Sequence, residues 1–435
     1  MTADDVFRWM ERNCAPGMKP GLERMNWVLK RLGHPERRLK WIHVAGTNGK
    51  GSTGAMIAQV LQQAGYKTGM FSSPHIMNWN ERVQIDGQPI EEESFIRWAN
   101  HLKPLIEEMN QSEVGPPTPF EFWTLLAILY FAREAVPWFV VWEAGLGGKF
   151  DSTNVVYPLV SVITNISREH TKVLGDSITA IASEKAGIIK PGVPVVTGCE
   201  AAEALEVLVE EAREKKSYLY QLHTDFHVEL LRGTEQGQII RFSSPFSKLD
   251  DLSLSLIGPH QVKNAAVALM TLEVLRQFYA TVLEEEDVRA GLCATHWPGR
   301  LEKMGGSPQI VLDGAHNPAG AQALAEAIPQ LFTYRRLHLL LSILEDKEAE
   351  GILTPLLPLA DRVIVTKVDH PRYRPVEKLI NMIQERSPDL PVQAFDSPIE
   401  GLEQLQKEAE EEDLILVTGS LFLVSEIRQH LLKQS

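Results

Sequence analysis

The chain has 435 residues, 44% of them hydrophobic and 23% charged, and a formal net charge of −14. That length exceeds one ordinary core and predicts two or three globular domains, while the acidic balance excludes non-specific binding to nucleic acid without excluding anionic small molecules gathered by a few placed Lys and Arg. Cys14, Cys199 and Cys293 are far apart with no metal-ligand spacing, the first residues are acidic where a secretory leader would be basic, and the apolar stretches Thr124–Phe131 and Pro137–Trp142 are too short to cross a bilayer, so a cytoplasmic protein without disulfides or a membrane partner is expected.

The first forty residues read as helix and loop, with Trp9, Leu22, Met25, Trp27, Val28 and Leu32 as buried-face candidates. Trp41–Ala45 is a short apolar run ending at glycine, and Ser52–Ala64 follows with apolar residues at helical spacing: strand, glycine loop, helix, the opening of a βαβ unit. Further apolar runs at Trp138–Trp142, Leu159–Thr164 and Val193–Thr197 each end in polar or glycine residues, and continuous runs of this kind predict a parallel sheet covered on both faces. Helical stretches lie between them, notably Phe120–Arg133 and Ser177–Ile189. Polar–apolar alternation between 223 and 257 predicts a small antiparallel sheet. Thr295–Arg300 reads as a linker. Beyond it Gln309–Leu312, Leu337–Leu341, Arg362–Thr366 and Leu414–Thr418 read as strands, and Ala319–Leu331, Val376–Arg386 and Gly401–Glu411 as helices. The acidic run Glu408–Asp413 reads as a solvated helix end.

The expected class is therefore α/β: an N-terminal P-loop ATPase domain with a mostly parallel sheet plus a small antiparallel sheet (1–296), and a smaller C-terminal Rossmann-like α/β domain (297–435).

The chemistry is concentrated in Gly46-Thr47-Asn48-Gly49-Lys50-Gly51-Ser52-Thr53. Glycines let a backbone wrap closely round phosphates, and the N-terminus of the following helix adds positive potential. Lys50 can reach the β and γ phosphates, and Ser52 or Thr53 can ligate Mg²⁺. A ligand-free glycine turn is the bland alternative, and the strand–loop–helix setting argues against it. The loop is shorter than the common G-x-x-x-x-G-K-[ST] pattern and carries Gly51 between the lysine and the hydroxyl residue.

That departure resembles the nucleotide loop of the Mur ligase superfamily, in particular of folylpolyglutamate and dihydrofolate synthases. The rest of the chain agrees in order. Ser73-Pro74-His75-Ile76 resembles S-P-H-[IL], and Phe120-Glu121 with Thr124 resembles a family helix start. Glu143–Asn154 resembles E-x-G-x-G-G-x-x-D-[AS]-T-N, Glu169-His170 a D-H pair, and Glu184–Lys190 E-K-A-G-I-[IL]-[KR]. Gly258–Asn264, Pro298–Glu302, Leu312–Pro318 and Val417–Phe422 complete the series.

The resemblance implies an ATP-dependent ligase that joins L-glutamate to a folate or to dihydropteroate through an acyl phosphate, acting as a monomer. It implies ATP contacts at Thr47, Asn48, Gly49, Lys50, Gly51, Ser52, Asn264, Arg300 and Asp313. Mg²⁺ would be held at two sites by Ser52, Ser73, Glu143 and His170, with a monovalent cation as an optional further ion. Acceptor and glutamate contacts would come from Ser73, Pro74, His75, Phe120, Glu121, His316 and Ser420. Lys50, Lys185 and His316 would carry the catalytic roles, Lys185 as a carbamate. Read without the resemblance, His170 is an ordinary solvated histidine, Lys185 a surface lysine, and Asp313 and His316 members of a hydrogen-bonded turn. Three competing functions remain at this level: a dihydrofolate synthase alone; a peptidoglycan Mur ligase, disfavoured because only 45 residues precede Gly46; and a non-catalytic nucleotide switch, disfavoured by Glu143, His170, Lys185 and the Asp313–His316 segment. The segment Ser167-Arg168-Glu169-His170 departs from the commoner G-x-D-H while keeping an acid.

Overall fold

The structure is a computed structural model that describes residues 2–17 and 19–434. By its internal contacts the chain forms two compact units, one of Met1–Glu229, Ile240–Ser253 and Lys263–Thr295, the other of Leu230–Ile239, Leu254–Val262 and His296–Ser435.

The first unit is built on an eight-stranded sheet of β1 (Trp41–Ala45), β2 (Thr68–Phe71), β3 (Val83–Ile85), β4 (Gln88–Pro89), β5 (Phe139–Glu143), β6 (Val160–Ile163), β7 (Val195–Thr197) and β8 (Leu219–Gln221), in the order β4-β3-β2-β5-β1-β6-β7-β8. The six strands from β2 to β8 in that order are parallel, and only the β2–β3 and β3–β4 pairs at one edge are antiparallel. Every residue of β1 is buried, as a central strand covered on both faces requires. Register aligns the carboxyl ends of the central strands: Phe71 lies opposite Trp142, Val44 opposite Glu143 and Ala45 opposite Ile163. The loops after β2, β5, β1 and β6 therefore leave the same edge side by side, where open α/β sheets gather ligand groups.

The helix Pro119–Tyr130 begins at Thr118, whose hydroxyl accepts from the Glu121 amide while the Glu121 carboxylate accepts from the Thr118 amide, and proline occupies its first turn. This reciprocal cap fixes the helix start. Its buried face joins Met25, Trp41, Phe71, Phe95 and Trp142 in one apolar cluster. The helix gives way to a π turn at Phe131–Ala135, so the expected Phe120–Arg133 helix ends early.

A small antiparallel sheet of β9 (His227–Thr234), β10 (Gly237–Ser243) and β11 (Lys248–Leu254) follows in the order β11-β10-β9. The second unit holds a six-stranded sheet of β12 (Glu302–Lys303), β13 (Gln309–Leu312), β14 (Leu337–Leu341), β15 (Arg362–Thr366), β16 (Val392–Phe395) and β17 (Leu414–Thr418), ordered β12-β13-β17-β14-β15-β16. All its pairs are parallel except β12–β13 at the edge. Leu312 pairs with Val417 and Leu341 with Thr418, so the segments after β13, β17 and β14 share one edge. Apolar clusters cover this sheet, one around Leu324, Ile328 and Leu353 and one around Leu402, Val424 and Ile427.

Two expectations need correction. The expected helix Gly401–Glu411 runs from Pro398 to Glu408, because Ser397 caps it and proline opens it. Asp413, read as part of a solvated helix end, is 2% exposed and bound by Arg335 and His338. No helix among the described residues is long and apolar enough to cross a membrane.

Candidate active site

The loop after β1 is tied down from one side. The Thr47 amide donates to the Asn165 carbonyl at 2.9 Å and the Asn48 amide to Asn165 Oδ1 at 2.8 Å. The Thr164 hydroxyl donates to the Asn48 carbonyl at 2.6 Å, and the Thr47 hydroxyl both donates to the Ser167 carbonyl and accepts from the Ser167 amide, each at 3.1 Å. Thr47 and Asn48 thus give their polar groups to the segment after β6. Gly49 opens the helix Lys50–Gln63 with φ +81, a left-handed backbone that a side chain rarely adopts, and a Cβ there would strike the Asn264 carboxamide. Gly49 makes no side-chain cap bond to the first turn, and an uncapped helix start of this kind suits an anion.

Two ammonium groups converge on one carbonyl. Lys50 Nζ donates to the Gly46 and Thr47 carbonyls, both at 3.1 Å, and Lys185 Nζ donates to the Gly46 carbonyl at 2.8 Å. Lys185 sits on the helix Ile178–Ala186 and is 3% exposed. Burial first, then the Lys50 charge, lower its pKa to about 7 against the opposing pull of Glu169 and Asp151. The sequence alone offered a surface lysine, and the structure buries it beneath the phosphate loop.

Glu143 ends β5 opposite Val44 and is 5% exposed. The glycine loop after it is held by Asp151, whose Oδ2 accepts from the Leu146 amide at 2.8 Å. Gly145 and Gly148 are required by close packing: a Cβ on Gly145 would lie 2.5 Å from the Phe120 ring, and one on Gly148 2.7 Å from the Glu184 carbonyl. Phe120 is thereby placed against this loop. Glu121 serves differently: its carboxylate is 3% exposed and taken by the helix cap and by Arg24, whose Nε lies 3.0 Å from both oxygens.

Ser73 and Pro74 follow β2 on the same edge, and Glu81 shapes their loop by accepting from the amides of Ile76, Met77 and Asn78. His75 Nδ1 accepts from Arg82 Nε at 3.1 Å, and burial followed by the Arg82 charge lowers its pKa. His170 takes a left-handed backbone, φ 50, and its Nε2 lies 3.5 Å from Glu169 Oε1.

Mg²⁺ is a hard cation that takes one or two protein oxygens and completes its shell with phosphates and water. Among the described residues no group of three or more His, Cys, Asp and Glu is arranged to hold a metal by itself. Buried donors are nevertheless present: the Glu143 carboxylate, the Ser52 hydroxyl at 2% exposure, and Thr53 Oγ1, a buried atom with no hydrogen-bond partner among the described residues. This donor set suits an ion shared with a bound phosphate.

In the second unit Asp313 follows β13 and its carboxylate accepts from the Leu301 and Ala315 amides at 3.0 and 2.9 Å. Gly314 lets Leu421 and Arg300 approach where a Cβ would clash. His316 Nδ1 lies 2.8 Å from the Gly314 carbonyl, an acceptor, which places the ring proton on Nδ1. Ser420 caps the helix Leu421–Leu432, and Gly419 before it has φ +94 with its amide on the Ala315 carbonyl at 3.0 Å. Asp313, His316 and Ser420 thus share the carboxyl edge of this sheet.

A model of the Mur ligase middle domain matches residues 100–272, and one of the Mur ligase glutamate ligase domain matches residues 299–421. The chain is 39% identical to dihydrofolate synthase/folylpolyglutamate synthase of Bacillus subtilis over 427 residues, 98% of each protein. It is 36% identical to folylpolyglutamate synthase of Lacticaseibacillus casei over 94% of each. The chain belongs to the folylpolyglutamate synthase/dihydrofolate synthase family of Mur ligases. Its fold matches Mycobacterium tuberculosis folylpolyglutamate synthase complexed with ADP (TM-score 0.91, 33% identity, 98% and 97% of the two chains). It also matches Escherichia coli FolC in complex with DHPP and ADP (TM-score 0.89, 29% identity, 100% and 99%). The chain is an ATP-dependent ligase of this family.

Sequence reasoning missed several residues around these groups. Thr164 and Asn165 brace the phosphate loop, and the only signal was their place after an apolar run. Asp151 and Thr153 lie inside a quoted motif without a role. His260 in the second unit is a further case: burial lowers its pKa against the pull of Asp313, and its buried Nδ1 has no partner among the described residues.

Proposed function

We propose that this enzyme adds L-glutamate to the γ-carboxylate of a tetrahydrofolate at the expense of ATP and, like its B. subtilis relative named for both activities, also joins glutamate to dihydropteroate. The observation that carries this reading is the convergence of Lys50 and Lys185 on the Gly46 carbonyl at the edge that also carries Glu143. A carboxylate is a poor electrophile with a poor leaving group. Attack of its oxygen on the γ-phosphorus breaks the bond to the β–γ bridging oxygen, giving an acyl phosphate and ADP. The glutamate α-amine then attacks the acyl carbon, and phosphate leaves with the carbon–oxygen bond electrons while the amine loses a proton.

The loop amides and Lys50 bind the phosphates and spread the charge that develops on the transferring group. Ser52, Ser73, Glu143 and His170 would hold Mg²⁺, which when bound would supply Lewis-acid stabilisation of that charge. Lys185 as a carbamate would place an anion on the metal side of the loop. Phe120 and the Ser73–His75 loop flank the acceptor, Asn264, Arg300 and Asp313 take the nucleotide, and His316 and Ser420 take glutamate. The test is ADP release with tetrahydrofolate or dihydropteroate, each with and without L-glutamate. Glutamate-dependent release with both acceptors is expected. Release with tetrahydrofolate alone removes the second activity, and release with neither overturns the reading.

A further inference from the structure

A fully buried histidine lies directly below the phosphate loop and has no part in the chemistry described so far. His43 is the middle residue of β1 and is 0% exposed. Its Nε2 lies 3.0 Å from the Thr153 hydroxyl, and its Nδ1 is buried without a hydrogen-bond partner among the described residues. The Thr153 hydroxyl donates in turn to Asp151 Oδ1, which also accepts from the Thr153 amide at 3.0 Å, while Asp151 Oδ2 accepts from the Leu146 amide at 2.8 Å.

One proton arrangement satisfies this chain. Burial raises the Asp151 pKa against the hydrogen bonds from Thr153 and Leu146, but both its oxygens are placed as acceptors, from the Thr153 amide and hydroxyl and from the Leu146 amide, so the Thr153 hydroxyl proton points to it and the hydroxyl oxygen accepts from His43. The imidazole must then carry its proton on Nε2 and leave Nδ1 bare. Burial, followed by the charge of Lys190, holds its pKa at about 3, so the ring stays neutral. The Thr153 backbone is held as well, its carbonyl accepting from Trp142 Nε1 at 2.9 Å. The relay ends on the backbone of the loop that leaves Glu143, on the strand next to the one that carries the phosphate loop.

We propose that His43 is a positioning residue: its neutral Nε2–H orients the Thr153 hydroxyl onto Asp151, and so holds the loop after Glu143 in register with the phosphate loop. An apolar side chain would fill this central strand at lower cost, since a buried polar atom left without a partner is destabilising. The retained imidazole with one bare nitrogen is accounted for by the donor it supplies.

The kinetic arm of the test rests on the ligase reading; the spectroscopic arm does not. Nitrogen NMR of protein labelled at its 13 histidines, with His43 assigned by its loss in His43→Gln, is expected to show a protonated Nε2 and a bare Nδ1 down to about pH 5. A proton on Nδ1, or a tautomer unchanged in Thr153→Val, overturns the proposal. In turnover, His43→Leu is expected to lower kcat about tenfold or more while the ATP KM stays within about threefold, with His43→Gln, which keeps an N–H donor, recovering most of the loss. Thr153→Val should reproduce the loss and Thr153→Ser restore it. If His43→Leu does not fold, the Thr153 pair decides. Folded His43→Leu or Thr153→Val with wild-type kcat means a purely structural histidine and ends the idea. Wild-type protein with the expected tautomer but no ligase turnover would sink the functional reading and leave the relay standing.

Discussion

Lys185 shows how much one buried charge depends on its neighbours. With a pKa of about 7, held down first by burial and then by Lys50, a large share of its amine is neutral at neutral pH. A neutral amine adds CO₂, forming the nitrogen–carbon bond of a carbamate and releasing one proton. Replacing it by alanine is expected to lower kcat by about a hundredfold, the scale for losing one charged group aimed at a transition state, while ADP still binds; steady-state kinetics beside ADP calorimetry checks this, and unaltered kcat would remove Lys185 from the mechanism. Asp413 is a structural counterpart. Burial alone would raise its pKa, but Arg335, the Glu410 amide and His338 outweigh that and hold it at about 2. Its folded pKa is depressed, so its contribution to stability is present above the unfolded value near 3.8 and is lost as pH falls toward 2. Asp413→Asn should therefore lower Tm at pH 7 and close the gap to wild type between about pH 4 and pH 2; an equal gap at both ends would refute the assignment. Legibility at this scale was uneven. Lys50 could be read directly because loop, strand and helix frame it. His43 could not, because an apolar run hides one polar member whose partners are more than a hundred residues away. Asp413 was misread because a run of acids looks solvated unless the arginine opposite is known.

At the scale of elements, strands that are continuous apolar runs were readable to the residue: β1, β13, β14, β15 and β17 fall where the pattern puts them. What escaped was short or mixed. Strand β2 is four residues with a glycine, and β3 and β4 form an edge pair of three and two residues. Strand β16 buries none of its four residues fully and exposes the adjacent Gln393 and Ala394 at the sheet edge, so little hydrophobic pattern marks it. Such strands owe their existence to a neighbour already in place rather than to their own sequence. The phosphate loop is the opposite case, since its conformation follows from its glycines. Gly49→Ala forces a methyl into the Asn264 carboxamide at φ +81, a strain of roughly 1–3 kcal/mol. Since the strain falls on the loop, ADP affinity should drop about tenfold or more while the far-UV circular dichroism is retained. Gly65→Ala, at φ +80 with open space around it, is the control: it carries similar backbone strain without the clash, so it should lose stability and keep affinity.

For the molecule as a whole, the candidate site residues fall in both compact units, in sequence order. Phosphate loop, buried lysine and Glu143 belong to the first; Asp313, His316 and Ser420 belong to the second. The motif series made the order legible, but only the register of β13, β14 and β17 shows why residues a hundred positions apart share one edge. His316 has its Nδ1 proton committed to the Gly314 carbonyl, which fixes the ring plane at the edge it shares with Asp313 and Ser420. If glutamate is bound in the second unit and the triphosphate on the first, the two bindings separate experimentally. His316→Ala should raise the glutamate KM about tenfold or more and leave the ADP Kd within about twofold, because one charge-assisted contact contributes on the order of 1.5–3 kcal/mol to one ligand only. His316→Gln, which keeps a donor near the Gly314 carbonyl, should fall between. A parallel rise in both constants would place His316 on the nucleotide, and no change in either would move the glutamate site elsewhere on the edge that Asp313 and Ser420 share.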